Sequence, residues 1–262
     1  MSESKVWVEA PFKLIPSSRA NLSAGQKPKG VQVLASEMCI VHNALLRGLN
    51  AVYNQARNVG ARGTAKDKLD FANFAYAWSQ VLEEHHELEE TKVFPDINRI
   101  TGVEGLMDGN VEEHKAFHGG LDKYKEYLQG VRDGKEEYDG EKLVGIIDSF
   151  GPVLQVHLSN EIDTLMAMDK YEDKCDWEAW FKKTIDAVMG QTMKDATYRT
   201  DMFPMVIILH DKTFADGVWR DFPPFPWVFG LLLRWLFMNT RKDWWRFSGC
   251  DFASQPKELP FA

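Results

Sequence analysis

Four long stretches with the apolar spacing of α-helices dominate the first part of the chain. Within each stretch apolar residues recur at intervals of three and four, and no comparable strand-like alternation occurs before residue 170. Long helices joined by short connections favour neighbours that run antiparallel. The sequence therefore predicts an all-α protein built on an antiparallel four-helix bundle at residues 31–170. Its helices are expected at about 32–58, 69–92, 111–131 and 141–170.

The segments on either side of the predicted bundle differ from it in composition. Residues 1–30 hold Pro, Ser, Gly and Lys without a clear period, and we interpret them as an N-terminal arm. Residues 171–262 are rich in Trp, Phe and Pro, and we predict a mainly helical C-terminal extension that covers or packs on the bundle. Helices are expected there at 177–189 and 227–238. The run MVIIL at 205–209 fits a strand and a buried helical turn equally well.

Composition narrows the environment and the partners of the chain. A net charge of −8 offers no basic surface, so no nucleic-acid partner is expected. The three cysteines are far apart and odd in number, which indicates a reducing compartment instead of a disulfide framework. The most apolar stretch, 225–238, is interrupted by Arg234 and is too short to span a bilayer. Because the first residues also lack the regions of a signal peptide, we expect a cytoplasmic protein without a transmembrane segment.

Six of the seven histidines lie in the four predicted helices. Several polar residues occupy positions where the helical pattern calls for apolar ones, at one place on all four helices. Residues four apart lie one above the other on a helix face, so three such pairs can each present two side chains to the bundle axis. The pairs are His85/Glu89, His114/His118 and His157/Glu161, and His42 on the first helix adds a seventh side chain.

Each of these positions is unremarkable when it is taken alone. A single His on an apolar face is more often a hydrogen-bonded core residue than a ligand, and a His/Glu pair on an acidic helix is more often at the surface. Together, however, five imidazoles and two carboxylates buried without partners would each cost several kcal/mol of desolvation free energy. We therefore predict a metal site on the bundle axis. Seven ligands are too many for one ion, so two ions are expected.

The doublet His85-His86 requires a choice, because adjacent residues on a helix differ by about 100°. His85 is in register with the apolar Trp78, whereas His86 aligns with Glu90. We therefore predict that His85 and Glu89 are ligands. His86 is expected on a solvated face or in the layer just outside the ligands.

The order His, His-x3-Glu, His-x3-His, His-x3-Glu on four helices resembles the hemerythrin-like family, also called HHE cation-binding domains. The stretch HHELEETKVFP is similar to that family's His-x3-Glu-Glu sequence before Phe-Pro, and the resemblance covers about residues 32–170. The closing DWWRFSGCD is similar to the tails of fungal members. The resemblance implies an oxo- or hydroxo-bridged centre of two iron ions that reacts with O₂. It also implies that two glutamates bridge the irons and five histidines are terminal ligands: Glu89, Glu161, His42, His85, His114, His118 and His157.

One departure from the family pattern bears on function. Hemerythrins that carry oxygen end in His-x4-Asp, whereas this chain has His157-x3-Glu161, a form found in other hemerythrin-like proteins. The number of ligands is therefore unchanged, and the departure argues only against the role of an oxygen carrier. Because imidazoles are neutral ligands, a His-rich centre keeps more positive charge than a carboxylate-rich one. That charge favours reversible O₂ binding or mild two-electron oxidation.

Two functions are compatible with such a centre. An oxidase or oxygenase would use O₂ to oxidise a small apolar or aromatic substrate, whereas a carrier, store or sensor of O₂ or iron needs little beyond the bundle. The extension favours the enzyme, because an aromatic cover can form a concave apolar pocket. The extension fits plain packing or a dimer interface at least as well. No dinucleotide or flavin motif occurs, so the sequence identifies neither a substrate nor an electron donor.

Overall fold

The computed structural model describes residues 8–17, 28–222 and 236–262. Within these ranges the regular structure is helical, apart from one isolated β-bridge between Cys250 and Pro256. The helix predicted at 227–238 falls mostly on residues outside the described ones. The prediction of an all-α protein is confirmed.

Four helices form the body of the molecule: α1 (Val31–Arg62), α2 (Ala65–Leu88), α4 (Asp108–Arg132) and α5 (Gly140–Met166), with the short α3 (Phe94–Thr101) between the second and third of them. Both α1 and α4 contact α2 and α5, so the four helices enclose one shared core. Thr64 caps α2 by accepting from the Asp67 N–H, while Asp139 caps α5. These caps hold the helix ends at short connections, as an antiparallel bundle requires.

The connection between α2 and α4 differs from the sequence-based prediction, in which the second helix ends at about residue 92 and the next begins at about residue 111. Instead, α2 continues through a π-helical turn at Glu89–Val93 directly into α3. Pro95 fits there because the first turn of a helix needs no intrahelical N–H partner. The helical path ends at Gly102, whose φ of 72° is the left-handed conformation typical of a residue just past a helix.

The described part of the N-terminal arm packs against α1. Val8, Phe12 and Ile15 are buried in the common core although residues 8–17 form no regular element. The side chain of Asn50 donates to the carbonyls of Val8 and Phe12 and accepts from the Phe12 N–H, and Asn43 likewise exchanges hydrogen bonds with Ile15. Two buried asparagines thus replace the backbone partners that an irregular segment lacks.

The extension begins with a 3₁₀ segment and continues as α6 (Trp177–Thr192), a π-helical turn and α7 (Phe203–Leu209). The run MVIIL is therefore helical. Both α6 and α7 contact α1, and α7 also contacts α2. The end of the chain is tied to α1, since the side chains of Gln55 and Asn58 donate to the carbonyls of Phe247 and Phe261. None of the described helices is long and apolar enough to cross a membrane.

Candidate metal centre

The four bundle helices bring a cluster of histidines and glutamates together in the core. Helix α1 contributes one histidine, α2 two, α4 one and α5 one, and a glutamate is added by α5 and by the first residue of the π-helical turn. Most of these side chains are at most 4% exposed, and that of His85 is 10% exposed. The cluster consists of His42, His85, His86, Glu89, His114, His157 and Glu161.

The imidazoles fall into two groups. In the first, Nε2 of His42 lies 3.0 Å from Nε2 of His85. In the second, Nε2 of His114 lies 3.0 Å from Nε2 of His157, and the ring of His86 lies 4.2 Å from the ring of His114 between centroids. Each group offers nitrogen atoms close enough together to bind one ion.

The two glutamates lie between these groups. One oxygen of Glu89 is 2.9 Å from Nε2 of His85, and the other is 3.7 Å from Nε2 of His114. Oε2 of Glu161 is 3.6 Å from Nε2 of His42 and 3.7 Å from Nε2 of His157. Each carboxylate therefore approaches one histidine from each group, which is the arrangement that a bridge between two ions requires.

Hydrogen bonds on the outer side of three rings determine which nitrogen carries the proton. Nδ1 of His42 donates to the carbonyl of Leu158 at 2.7 Å, and Nδ1 of His114 and of His157 face Glu90 and Glu113 at 2.6 and 3.1 Å. Because these oxygens accept, the neutral rings carry their proton on Nδ1 and direct the lone pair of Nε2 inward. Such outer partners are a regular feature of histidines that bind metals.

This protonation pattern supplies a test of whether the cluster fits a metal. The lone pairs of His114 and His157 face each other at 3.0 Å, and two lone pairs repel unless a positive charge lies between them. None of the carboxylate oxygens of Glu89 and Glu161 has a hydrogen-bond partner among the described residues, and neither has Nε2 of His86. A cation bound at the cluster would satisfy all of these atoms at once, so the residues fit a metal.

Burial also shifts the pKa values in the direction expected of an apolar cavity. It lowers the pKa of His85 to about 4 and that of His157 to about 3, and it raises the pKa of Glu89 and Glu161 well above the usual range. The histidines are therefore neutral, which is the form that binds metals. A bound cation opposes the effect of burial on the two carboxyl groups and favours their ionised form.

The structure disagrees with two sequence-based assignments. His86, expected on a solvated face or just outside the ligands, is only 4% exposed and belongs to the cluster. His118, expected as a ligand, is exposed and lies outside the cluster, with its ring stacked on that of Phe117. The cluster still contains five imidazoles, with His86 in place of His118, and the ligand assignments themselves stay predictions.

The position of His86 has a physical cause, which is the width of the buried face on a bundle helix. Helix α2 has two neighbours, so His85 can face His42 on α1 while His86, about 100° away, faces His114 on α4. A single stripe was too narrow a description of that helix.

On α4 the buried positions are four and three residues apart and include His114, Phe117 and Leu121. His118 is one residue beyond this stripe. Because Phe117 already fills the inward position next to His114, the side chain of His118 points towards solvent.

A buried cluster of histidines with two carboxylates in the core of four helices defines a metal-binding helical bundle. Residues 37–168 match the Hemerythrin HHE cation binding domain. The chain belongs to this family, and the resemblance found from the sequence is confirmed.

A curated relative extends the comparison beyond the bundle. The chain is 32% identical over 231 residues to the "Dimeric xanthone biosynthesis cluster protein R11" of Cryptosporiopsis sp. (strain 8999), with 87% of this chain and 82% of the relative covered. This alignment is much longer than the family domain, so the similarity includes residues outside the bundle. No solved structure matches the chain.

Proposed function

We propose that this protein is a non-heme diiron oxidase or oxygenase that uses O₂ to oxidise a small aromatic substrate. The observation that carries the proposal is the position of Glu89 and Glu161, each between a histidine of one group and a histidine of the other. One ion cannot use both groups, whereas two ions bridged by the carboxylates would use every unpartnered atom in the cluster.

The ligands divide unequally between the two ions in this proposal. His42 and His85 bind one ion, whereas His86, His114 and His157 bind the other. With both carboxylates shared, the group with three imidazoles would supply its ion with more ligands than the group with two. The side of His42 and His85 would therefore leave more room for O₂. Imidazole and carboxylate ligands suit iron, and iron is the cation that the family resemblance implies.

The surrounding protein favours a mild oxidation. When bound, the iron pair supplies the electrons that reduce O₂. Five neutral imidazoles and two carboxylates leave two ferrous ions with a net positive charge, which disfavours very high oxidation states. The buried site also excludes water, since its side chains are nearly inaccessible. These conditions suit the removal of two electrons from an activated aromatic compound more than attack on an unactivated C–H bond.

Two further observations favour an enzyme over a carrier, store or sensor. The similarity to the curated relative includes residues outside the bundle, which a carrier would not need. That relative is named for a biosynthesis cluster of dimeric xanthones, which points to an aromatic compound as the substrate class. We also propose a cytoplasmic location, and no disulfide joins the cysteines of the described residues.

Oxygen consumption by the iron-loaded protein tests this proposal. Protein is loaded with ferrous iron without air, its iron content is measured, and O₂ uptake is followed with a panel of phenols present or absent. We expect two irons per chain, irreversible uptake, and acceleration by at least one phenol with formation of an oxidised product. A Glu161→Ala variant should lose this uptake. If the O₂ taken up is fully recovered on evacuation over repeated cycles, the protein is a carrier and the oxidase proposal is wrong.

A further inference from the structure

Arg47 of α1 is a buried cation outside the metal centre. It is 1% exposed, and no hydrogen bond to its Nε or Nη2 is found among the described residues. It follows His42 by five residues, so it lies roughly 7 Å further along α1 and on a different face of the helix. A buried guanidinium with unsatisfied donors costs stability, and packing alone would be better served by an apolar side chain.

Residues of the segment after α7 lie beside this guanidinium. The ring of Phe214 lies 5.0 Å from Cζ of Arg47. Burial lowers the pKa of Arg47, and Asp211 is the anion that opposes this effect most strongly. Oδ1 of Asp211, however, accepts from the N–H and the hydroxyl of Thr213, both at 2.7 Å. Asp211 thus balances part of the charge of Arg47 without satisfying its donors.

His210 contributes an unpartnered acceptor in the segment beside Arg47, because it follows Leu209, whose side chain lies against Gly48, the residue after Arg47. It is 1% exposed, and its Nε2 donates to the carbonyl of Trp219 at 3.0 Å. In the neutral ring Nδ1 is therefore an acceptor, and this atom has no partner among the described residues. His210 is close enough to Arg47 to feel its charge, and the ring of Phe222 lies 5.5 Å from its own.

The unpartnered atoms of Arg47 specify the shape of the missing group. Nε–H and Nη2–H lie on one edge of the planar guanidinium and point in the same direction. This edge binds the two oxygens of a carboxylate in a bidentate manner, which a lysine cannot do. The acceptor on His210 complements a hydroxyl group, and the rings of Phe214 beside Arg47 and of Phe222 beside His210 make the surroundings aromatic.

We propose that Arg47 and His210 form a binding site for a hydroxylated aromatic carboxylic acid. The carboxylate accepts from Nε and Nη2 of Arg47, and the hydroxyl of the ligand donates to Nδ1 of His210. The site uses none of the metal ligands, so it stands whether or not the bundle holds two irons.

Calorimetric titration of the metal-loaded protein with 3-hydroxybenzoate tests this site. The 3-isomer is chosen because a hydroxyl next to the carboxylate would chelate iron. We expect saturable binding of the acid, with its methyl ester at least about tenfold weaker because the ester removes the anion. The variant Arg47→Met should weaken binding by about 10- to 100-fold, whereas Arg62→Met, at an exposed position of the same helix, should leave it unchanged. The variant His210→Phe should lose the preference for 3-hydroxybenzoate over benzoate.

Two further readouts distinguish a ligand-binding Arg47 from a purely structural one. Arg47→Met should melt no lower than the wild type without ligand, because it removes an unpaired buried charge, whereas a structural arginine would give a large decrease. Binding should also leave the absorption spectrum of the iron unchanged. The proposal is overturned if the wild type does not bind the acid, if the ester binds equally well, or if Arg47→Met binds like the wild type. Should that variant fail to fold, the acid-to-ester ratio and His210→Phe decide the question.

Discussion

Two buried polar clusters lie close to α1, and they lack opposite things. The cluster in the bundle core has an excess of hydrogen-bond acceptors. The lone pairs of His114 and His157 face each other, and Glu89 and Glu161 have unpartnered oxygens. The cluster between α1 and the extension is centred on Arg47 and has an excess of donors. Unpartnered atoms in a folded core reduce stability, so each set indicates the ligand that would complete it. The first calls for cations and the second for an organic anion.

Removal of the metal should give the largest change in stability. It should lower the stability, whereas Arg47→Met should not. If the cluster binds iron as we propose, stripping it leaves Nε2 of His86 and the oxygens of Glu89 and Glu161 without a partner, whereas Arg47→Met removes an unpaired group. For each bound ion we expect metal-free protein to be less stable by about 3–4 kcal/mol at free iron 100- to 1,000-fold above its Kd, or roughly 5–15 °C in Tm. Calorimetry of the stripped, the reloaded and the Arg47→Met proteins measures it. Equal Tm values with and without iron would mean that the cluster does not bind metal in the folded protein.

The variant Glu161→Ala tests whether a carboxylate serves both ions. Because Glu161 lies between His42 and His157, its loss should reduce iron from two per chain to one or none. Glu87→Ala is the matched control, since Glu87 is exposed two residues from Glu89 and should keep both irons. Elemental analysis after desalting gives the counts. The aromatic acid should still bind to Glu161→Ala, and a parallel loss of both ligands would contradict the independence of the two clusters.

The sequence predicts the first cluster better than the second because the two are encoded differently. A four-helix bundle repeats its buried positions, so polar residues within an apolar stripe stand out, and this pattern identifies six of the seven clustered side chains. His86 escapes it because only the packing shows that α2 buries a face wide enough for two adjacent residues. An interpretation that assigns one narrow apolar stripe to each helix misses adjacent residues that are both buried.

The second cluster has no periodic signal. Arg47 lies on a long amphipathic helix, where an isolated arginine is normally solvated, and its burial depends on the loop that carries His210 and Phe214. That loop contains three consecutive residues with positive φ, at Ala215, Asp216 and Gly217. Two of them are not glycine, so local propensity gives no indication of the turn. The same limitation applies to Pro95, whose role depends on whether the preceding turn stays helical.

Substitutions at His86 and His118 should have a smaller and more selective effect on iron binding. We expect His86→Ala to weaken binding of one iron by tenfold or more while the other iron stays bound, because the ligand atom of His86 lies close to those of His114 and His157. His118→Ala should change neither iron, since that side chain is exposed. Iron titration of both variants distinguishes them. If His118→Ala loses iron and His86→Ala keeps both, the ligand set implied by the family resemblance is the correct one.

The smallest expected effect concerns Asp67, which joins the bundle to the extension. Hydrogen bonds from Thr64 and from Arg246 of the extension lower the pKa of Asp67 to about 2. The folded state therefore prefers the ionised carboxylate, so the stabilisation is complete above about pH 4 and disappears as the pH falls towards 2. We expect Asp67→Asn to lose about 1 kcal/mol at neutral pH, mostly through the weakened helix cap.

Denaturant unfolding of wild type and Asp67→Asn across this pH range measures the difference, with Asp122→Asn on an exposed face of α4 as the control. The gap between wild type and Asp67→Asn should narrow below about pH 4 and close near pH 2, whereas Asp122→Asn should follow the wild type throughout. A gap that stays constant down to pH 2 would show that the neutral hydrogen bonds, and not the charge, join the two regions at this point.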